Sequence, residues 1–252
     1  MRTVLITGAS GDLAQAIIQA LPDTDSILAL GRSKETLDTI YAHRSNVTSF
    51  GVDITDHQAV VCLLEELTQN YGAIDVLINN AGYGTFKAFD DFNDQDISQL
   101  FEVNTLATIR LSRMIGQKMA EKGQGHIINI ASMAGLIATS KSSIYSASKF
   151  AVIGFSNALR LELADKGVYV TTVNPGPIKT KFFQTADPDG SYLKRVEAYS
   201  LSPEQVAQKI VNNIGRNKRE LNLPWLLALT HKFYNLFPVL SDYISRKNFN
   251  YK

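Results

Sequence analysis

Tyr145 and Lys149 stand four residues apart in Ile144-Tyr145-Ser146-Ala147-Ser148-Lys149, at the start of a stretch patterned as a long amphipathic helix. On a helix this spacing puts both side chains on one face, one turn apart. A free phenol loses its proton near pH ~10. An ammonium held beside it favours the phenolate and draws that value towards neutrality. The pair therefore has the parts of a proton donor or acceptor at working pH. A lone YxxxK is more often a surface pair, so its meaning depends on the other polar residues. Ser132 follows an apolar run in Ile130-Ala131-Ser132-Met133-Ala134-Gly135, where a hydroxyl is either a turn former or a hydrogen-bond donor to a ligand. Asn104 sits in the otherwise apolar Phe101-Glu102-Val103-Asn104-Thr105-Leu106. A buried amide there must find a partner, so it is a structural hydrogen-bonder or part of a site.

These residues need a frame. Short apolar runs alternate with helical patterns from the first residues, the signature of βαβ units and a parallel sheet. The strand candidates are Val4–Thr7, Ile27–Leu30, Val47–Val52, Val76–Asn79, His126–Ile130 and Tyr169–Val173. Helices are expected at Asp12–Leu21, Lys34–Ala42, Asp56–Tyr71, Asp94–Lys122 and Ile144–Asp165. Ala59, Val60, Leu63, Leu64 and Leu67 form a buried stripe at helical spacing in the third of these. Right-handed crossovers then give a doubly wound α/β sheet that binds ligands at the carboxyl ends of its strands. No Pro/Ser-rich linker or charge block divides the chain, and a single domain over residues 1–252 is expected.

The strand ends carry a consistent chemistry. Thr7-Gly8-Ala9-Ser10-Gly11-Asp12-Leu13-Ala14 closes the first strand and opens a helix. Backbone amides in such a turn approach a diphosphate, and the helix N-terminus favours an anion; Gly8, Ser10, Gly11 and Leu13 are the candidates for that contact. Gly31-Arg32-Ser33 ends the second strand. A guanidinium and a hydroxyl there suit a 2′-phosphate, where a carboxylate would suit bare ribose hydroxyls. Arg32 and Ser33 therefore point to NADPH over NADH, although Ser33 is also a natural helix cap. Asp53 and Ile54 close the third strand and could take adenine, with an Asx cap as the alternative for Asp53. Asn80, Ala81 and Gly82 close the fourth and are small enough for a cofactor to lie close.

The composition narrows the partners. The 252 residues carry a net charge of +1, which removes the electrostatic argument for nucleic acid. Cys62 is the single cysteine, so no internal disulfide is possible and a reducing compartment fits. His43, His57, His126 and His231 lack metal-ligand spacing. No cleavage pattern precedes the first strand, and no apolar run approaches the ~20 residues of a bilayer span. A cytoplasmic protein is expected.

Together these motifs resemble the short-chain dehydrogenase/reductase family over residues 1–216. The likeness rests on TGxxx at Thr7–Gly11, NNAG at Asn79–Gly82, Asn104, Ser132, YxxxK at Tyr145–Lys149, and Asn174-Pro175-Gly176-Pro177-Ile178-Lys179-Thr180, in family order. It implies a Rossmann fold, NADP as cofactor, a small carbonyl or alcohol substrate, and a homodimer or homotetramer. It further implies that Tyr145 is the catalytic acid/base and that Lys149 lowers its pKa and holds the nicotinamide ribose. Ser132 would orient the substrate carbonyl, and Asn104 would support a water relaying protons to Lys149. Pro175, Gly176, Ile178 and Thr180 would meet the nicotinamide end. The usual TGxxxGxG is altered: Asp12 and Ala14 stand where glycines are expected, and the spacing Gly8-x-x-Gly11-x-x-Ala14 is nearer to that of sugar-nucleotide epimerases. Epimerase-type chemistry and a non-catalytic NADP-binding role are the alternatives.

Two further segments bear on the substrate. Residues 181–200 include Phe182, Phe183, Tyr192, Leu193 and Tyr199 around the turn Asp187-Pro188-Asp189-Gly190, and read as an apolar lid. Residues 221–252 form an apolar, aromatic extension with basic residues at intervals. Pro224 and Pro238 interrupt any long amphipathic face there, which favours burial in the cleft or against a subunit over peripheral membrane contact.

Overall fold

The computed structural model describes residues 1–187, 190 and 200–249. Alternation of side chains along each strand sets the architecture. In β1 (Thr3–Thr7), Val4 and Ile6 enter one apolar cluster while Leu5 enters another on the opposite face. The same division holds in β2 (Ser26–Gly31), β4 (Val76–Asn79) and β5 (Gly125–Ile130). With β3 (Val47–Gly51), β6 (Val168–Pro175) and β7 (Glu220–Leu223) they form one parallel seven-stranded sheet, ordered β3-β2-β1-β4-β5-β6-β7. Both faces must then be covered by helices.

On one face lie α1 (Asp12–Ala20) and α8 (Pro203–Val211), burying Ala14, Ile17, Ile18, Val206, Ala207 and Ile210. On the other, α3 (His57–Tyr71), α5 (Ala107–Lys122) and α6 (Ser143–Leu163) supply Val60, Leu64, Leu67, Leu111, Ile115, Met119 and Leu163. Each of the Val, Leu, Ile and Met side chains among these contributes roughly 1.5–3 kcal/mol of transfer free energy. Starts and stops follow local chemistry. Ser33 caps α2 (Lys34–Ile40) and Asp56 caps α3. Ser202 and Gln205 form a reciprocal capping box on α8, with Pro203 in its first turn.

The expected helix Asp94–Lys122 is two helices, α4 (Asp94–Phe101) and α5, joined by a π-helical turn over Glu102–Leu106 that contains Asn104. Ala107 N–H reaches back five residues to the Glu102 carbonyl. β7 was not expected: four residues alternating as Glu-Leu-Asn-Leu at a sheet edge carry too little apolar signal. After β7 come α9 (Trp225–Leu236) and α10 (Pro238–Phe249). No described helix is long and apolar enough to cross a membrane.

The chain reverses its winding between β1 and β4, which pair directly through Ile6 and Ile78. The loops after these strands therefore lie side by side, and a crevice opens at the carboxyl edge of the sheet.

Candidate active site

Thr7 joins the two loops. Its Oγ1 accepts from Asn80 N–H at 3.1 Å and from Ala81 N–H at 3.0 Å, while Asn80 Nδ2 donates to the Thr7 carbonyl at 3.0 Å. Gly8 next to it has φ +64°, and a Cβ there would lie 2.8 Å from Ala81 Cα. Only glycine suits that position. Gly11 precedes α1 without a side-chain cap, so no capping side chain takes up the first amides of that helix. The Tyr41 hydroxyl donates to the Ala9 carbonyl at 2.5 Å and steadies the loop from below. Burial pushes that phenol's pKa up, keeping it a donor. No local pattern marks Tyr41 as a loop support, because its partner is 32 residues away.

Asp12 turns out of the loop. Its Oδ2 accepts from Lys181 N–H at 2.6 Å, tying the first turn of α1 to the segment that follows Thr180. A carboxylate at a helix start that favours anions would repel a diphosphate; here it forms a clasp across the crevice.

Beyond the second and third strands, Arg32, Asp53 and Ile54 line the cleft. Ser33 does not offer a free hydroxyl: Oγ accepts from Thr36 N–H at 3.1 Å and donates to Glu35 Oε2 at 2.9 Å. Its capping role uses the group, whereas Arg32 lines the cleft. Asp53 forms an Asx turn, its Oδ1 accepting from Thr55 N–H at 2.9 Å, and this bond above all lowers its pKa.

At the other end, Ser132, Tyr145 and Lys149 converge. The start of α6 presents Tyr145 and Lys149 on one face, 6% and 4% exposed. Lys149 Nζ lies 6.0 Å from the Tyr145 ring centroid and donates to the Ile130 carbonyl at 3.0 Å. Burial draws the lysine pKa down to about 8. Burial also pushes Tyr145 up to about 12, against a smaller opposing pull from the Ser132 hydroxyl. The expected lowering of the phenol by Lys149 is therefore overturned in this geometry. Desolvation outweighs a cation whose hydrogen bond goes to the backbone. Ser132 is fixed by accepting Ala134 N–H at 3.1 Å.

Asn104 is buried and its amide is taken up structurally. Oδ1 accepts from Tyr83 N–H at 3.0 Å, and Nδ2 donates to the Tyr83 carbonyl at 2.9 Å and to Ser148 Oγ at 3.2 Å. The π-turn aims it there. Gly82 passes between, since a Cβ at that point would lie 3.1 Å from Asn104 Oδ1 and 3.3 Å from Lys149 Nζ.

Aromatic side chains enclose the phenol. Phe86 meets the Tyr145 ring edge-on at 5.7 Å, and Phe182 of α7 (Phe182–Ala186) lies at 6.0 Å. A Cβ on Gly84 would strike Phe182 at 2.6 Å. Phe86 and Gly84 lie in a loop without periodicity and were not singled out in the sequence. Gly190 N–H closes the expected turn on the Asp187 carbonyl at 2.9 Å, with φ +67°. Pro188, Asp189, Tyr192, Leu193 and Tyr199 lie outside the described residues.

Pro175, Gly176, Ile178 and Thr180 line the same cleft beyond β6. A Cβ on Gly176 would lie 2.7 Å from Leu227 Cδ1 of α9. The cleft has a volume of about 1360 Å³ and runs from Arg32 past Gly8 to Tyr145, then on to Leu226, Leu227, Phe233 and Ile244 of the C-terminal helices. This exceeds the roughly 300–1,000 Å³ of an ordinary small-ligand pocket. Among the described residues no group of three or more His, Cys, Asp or Glu side chains is placed to hold a metal ion.

Residues 2–190 match the short chain dehydrogenase family model. The chain belongs to the short-chain dehydrogenase family. Its oxidoreductase relatives include a ketoacyl reductase, HetN of Nostoc sp., 32% identical over 229 residues that cover 87% of this chain and 77% of HetN. A short-chain dehydrogenase from Streptomyces avermitilis superposes with a TM-score of 0.83 at 25% identity, covering 98% of this chain and 96% of its own. ElxO with NADP bound gives 0.79 at 26% identity, covering 88% and 96%. Within this short-chain dehydrogenase, the Asp12–Lys181 clasp occupies the loop position where the family's usual pattern has a glycine.

Proposed function

We propose that the protein is an NADP(H)-dependent oxidoreductase interconverting an alcohol and a ketone or aldehyde, with Tyr145 as general acid/base. The observation that carries this is the meeting of Ser132, Tyr145 and Lys149 at one end of a cleft whose other end holds Arg32. ElxO, a structural neighbour, is solved with NADP bound, and the residues here fit such a molecule. Gly8 opens a cradle that a Cβ would fill, and the uncapped start of α1 at Gly11 suits its diphosphate. Ser10 and Leu13 flank that contact, Arg32 takes the 2′-phosphate, and Asp53 and Ile54 take the adenine. Asn80, Ala81 and Gly82 line the middle, and Pro175, Gly176, Ile178 and Thr180 the nicotinamide end. Bound there, the cofactor supplies the hydride, and the protein supplies orientation and charge.

Tyr145 at about 12 holds its proton at neutral pH, the state needed to donate to a carbonyl oxygen during reduction. Ser132 provides the second hydrogen bond that places that oxygen, a contribution of ~3 kcal/mol to the barrier for such donors. Lys149 keeps its charge below about pH 8 and stabilises the phenolate left behind. Asn104 acts through others: it fixes Tyr83 and Ser148, and so the loop against which Gly82 and Lys149 pack. Phe86 and Phe182 exclude water from the proton-transfer path.

The test is NADPH consumption against a panel of ketones and aldehydes. Tyr145→Phe should lower turnover by at least about 10²-fold while NADPH affinity stays unchanged. Retained turnover in that variant refutes the assignment of the acid.

A further inference from the structure

The C-terminal helices wall the cleft with one face and leave the other uncovered. On its inner side α9 is anchored. Leu227 packs on the cluster of Ala131, Met133, Leu136, Val152 and Ile153, and His231 Nδ1 lies 3.2 Å from the Leu136 carbonyl. On its outer side Trp225, Leu229 and Leu236 recur at helical spacing and are 71%, 51% and 73% exposed, while Phe233, 41% exposed, stands at the rim of the cleft. Val239, Leu240, Tyr243 and Ile244 continue the apolar surface on α10, with Val239 83% exposed. An apolar surface of this extent on an anchored element marks an interaction site.

We propose that the outer faces of α9 and α10 dock on an anionic membrane surface, and that the cleft draws an elongated apolar alcohol or carbonyl compound directly from the lipid. Charge selects the partner. Between Pro224 and Lys252 the sequence has Lys232, Arg246, Lys247 and Lys252 against Asp242 alone, although the whole chain is only +1. The basic charge of the sequence is thus concentrated in the same stretch that carries the apolar face, the composition of an interfacial segment. Each helix has 12 residues, too short for the ~20 that span a bilayer, so both lie in the interface plane. Exposed Trp225 suits the headgroup boundary. Lys232 can extend its stem along the apolar face and keep its charge in water.

The position of the cleft mouth favours a membrane over a second copy of the chain. Leu226, Phe233 and Ile244 both line the cleft and are 45%, 41% and 40% exposed, so the apolar patch frames the opening. A second copy seated there would cover the mouth. A bilayer seated there would supply it with lipid-dissolved molecules. Tyr145 lies at the inner end behind Phe86 and Phe182, so a substrate needs one oxygen function on a long apolar body. This substrate half rests on the oxidoreductase reading above, whereas the docking half does not.

Flotation of the full chain with liposomes separates the two. The protein should float with an equal mixture of phosphatidylcholine and phosphatidylserine, and far less with phosphatidylcholine alone or at high salt. Leu229→Glu combined with Leu236→Glu and Val239→Glu changes residues that do not line the cleft. It should lower the floated fraction at least about tenfold and leave NADPH consumption with a short, water-soluble ketone unchanged. For a long-chain methyl ketone carried in those liposomes, the triple variant's kcat/KM should fall by a similar factor. Lys232→Glu, a single exposed change, should weaken flotation in the same direction. Wild-type protein that stays unbound to both liposomes overturns the docking surface. So does loss of a dimer in the triple variant without any liposome binding by the wild type. Flotation as expected with no NADPH consumption on any ketone leaves the docking surface standing and removes the oxidoreductase reading.

Discussion

Lys149→Met tests the electrostatics of the site without relying on a substrate. Burial lowers the Lys149 pKa from 10.5 to about 8, so the folded protein holds that proton less tightly than the unfolded chain. Between those two values the unfolded state binds more protons, and stability contributed by this group rises with pH. At pH 7 the buried charge costs about 3 kcal/mol, falling to about 2 kcal/mol at pH 9, a relative gain of about 1 kcal/mol for the wild type. Methionine fills similar space without a charge and removes both the cost and the slope. It also leaves the Ile130 carbonyl without the bond it accepts from Nζ, an opposing loss of about 1–3 kcal/mol. The variant at pH 7 is therefore expected to equal the wild type or exceed it by up to about 2 kcal/mol. The difference between pH 7 and pH 9 is free of that offset. Thermal unfolding of both proteins at the two pH values reads it: wild type should gain roughly 2–3 °C relative to the variant on going to pH 9. Other titrating groups cancel in the comparison. A wild-type-to-variant gap that stays constant, or moves the other way, refutes the claim that a charged lysine is desolvated at this point.

Three other outcomes follow from the geometry. Gly8→Ala forces a Cβ to 2.8 Å from Ala81 Cα at φ +64°, and should cost about 2 kcal/mol or more in urea unfolding while weakening NADPH binding; a neutral substitution would mean the loops are not held so close. Arg32→Glu should reduce the ratio of kcat/KM for NADPH over NADH at least about tenfold, the worth of a charged hydrogen bond, and an unchanged ratio removes Arg32 from phosphate recognition. His126 is buried between Thr171 Oγ1 at 2.9 Å and Gly215 N–H at 3.1 Å, and burial draws its pKa down to about 4. As pH falls through 6.5 the unfolded chain protonates first, so stability should drop by about 2 kcal/mol between pH 7.5 and pH 5, a loss that His126→Gln should largely abolish in urea titrations at those pH values.

What the sequence made legible was whatever local pattern alone dictates. Val4–Thr7 and Val76–Asn79 read as strands because short apolar runs bounded by glycine or asparagine have few other uses, and parallel pairing puts their ends together. Tyr145 and Lys149 share a face because helical geometry allows nothing else at that spacing. The electrostatic result was not legible, since the sign of the Tyr145 shift depends on Phe86 and Phe182 closing over the ring and on the Ile130 carbonyl engaging Lys149. Asp12 makes the same point from the other side: beside a diphosphate its charge counts as a defect, yet its partner is 169 residues away and pulls it out of the loop. Ser33 shows the converse, with a hydroxyl suited equally to a phosphate and to a cap going to the cap because Thr36 N–H is always within reach. Pro224 and Pro238 suggested that no continuous amphipathic face could form after β7. The fold meets that constraint by breaking the stretch into two helices, with Pro224 just before the first and Pro238 opening the second, and the apolar face continues across the break from Leu236 to Val239. A proline interrupts a helix, but it does not interrupt a surface, and the outward face of this extension is a property of the surface.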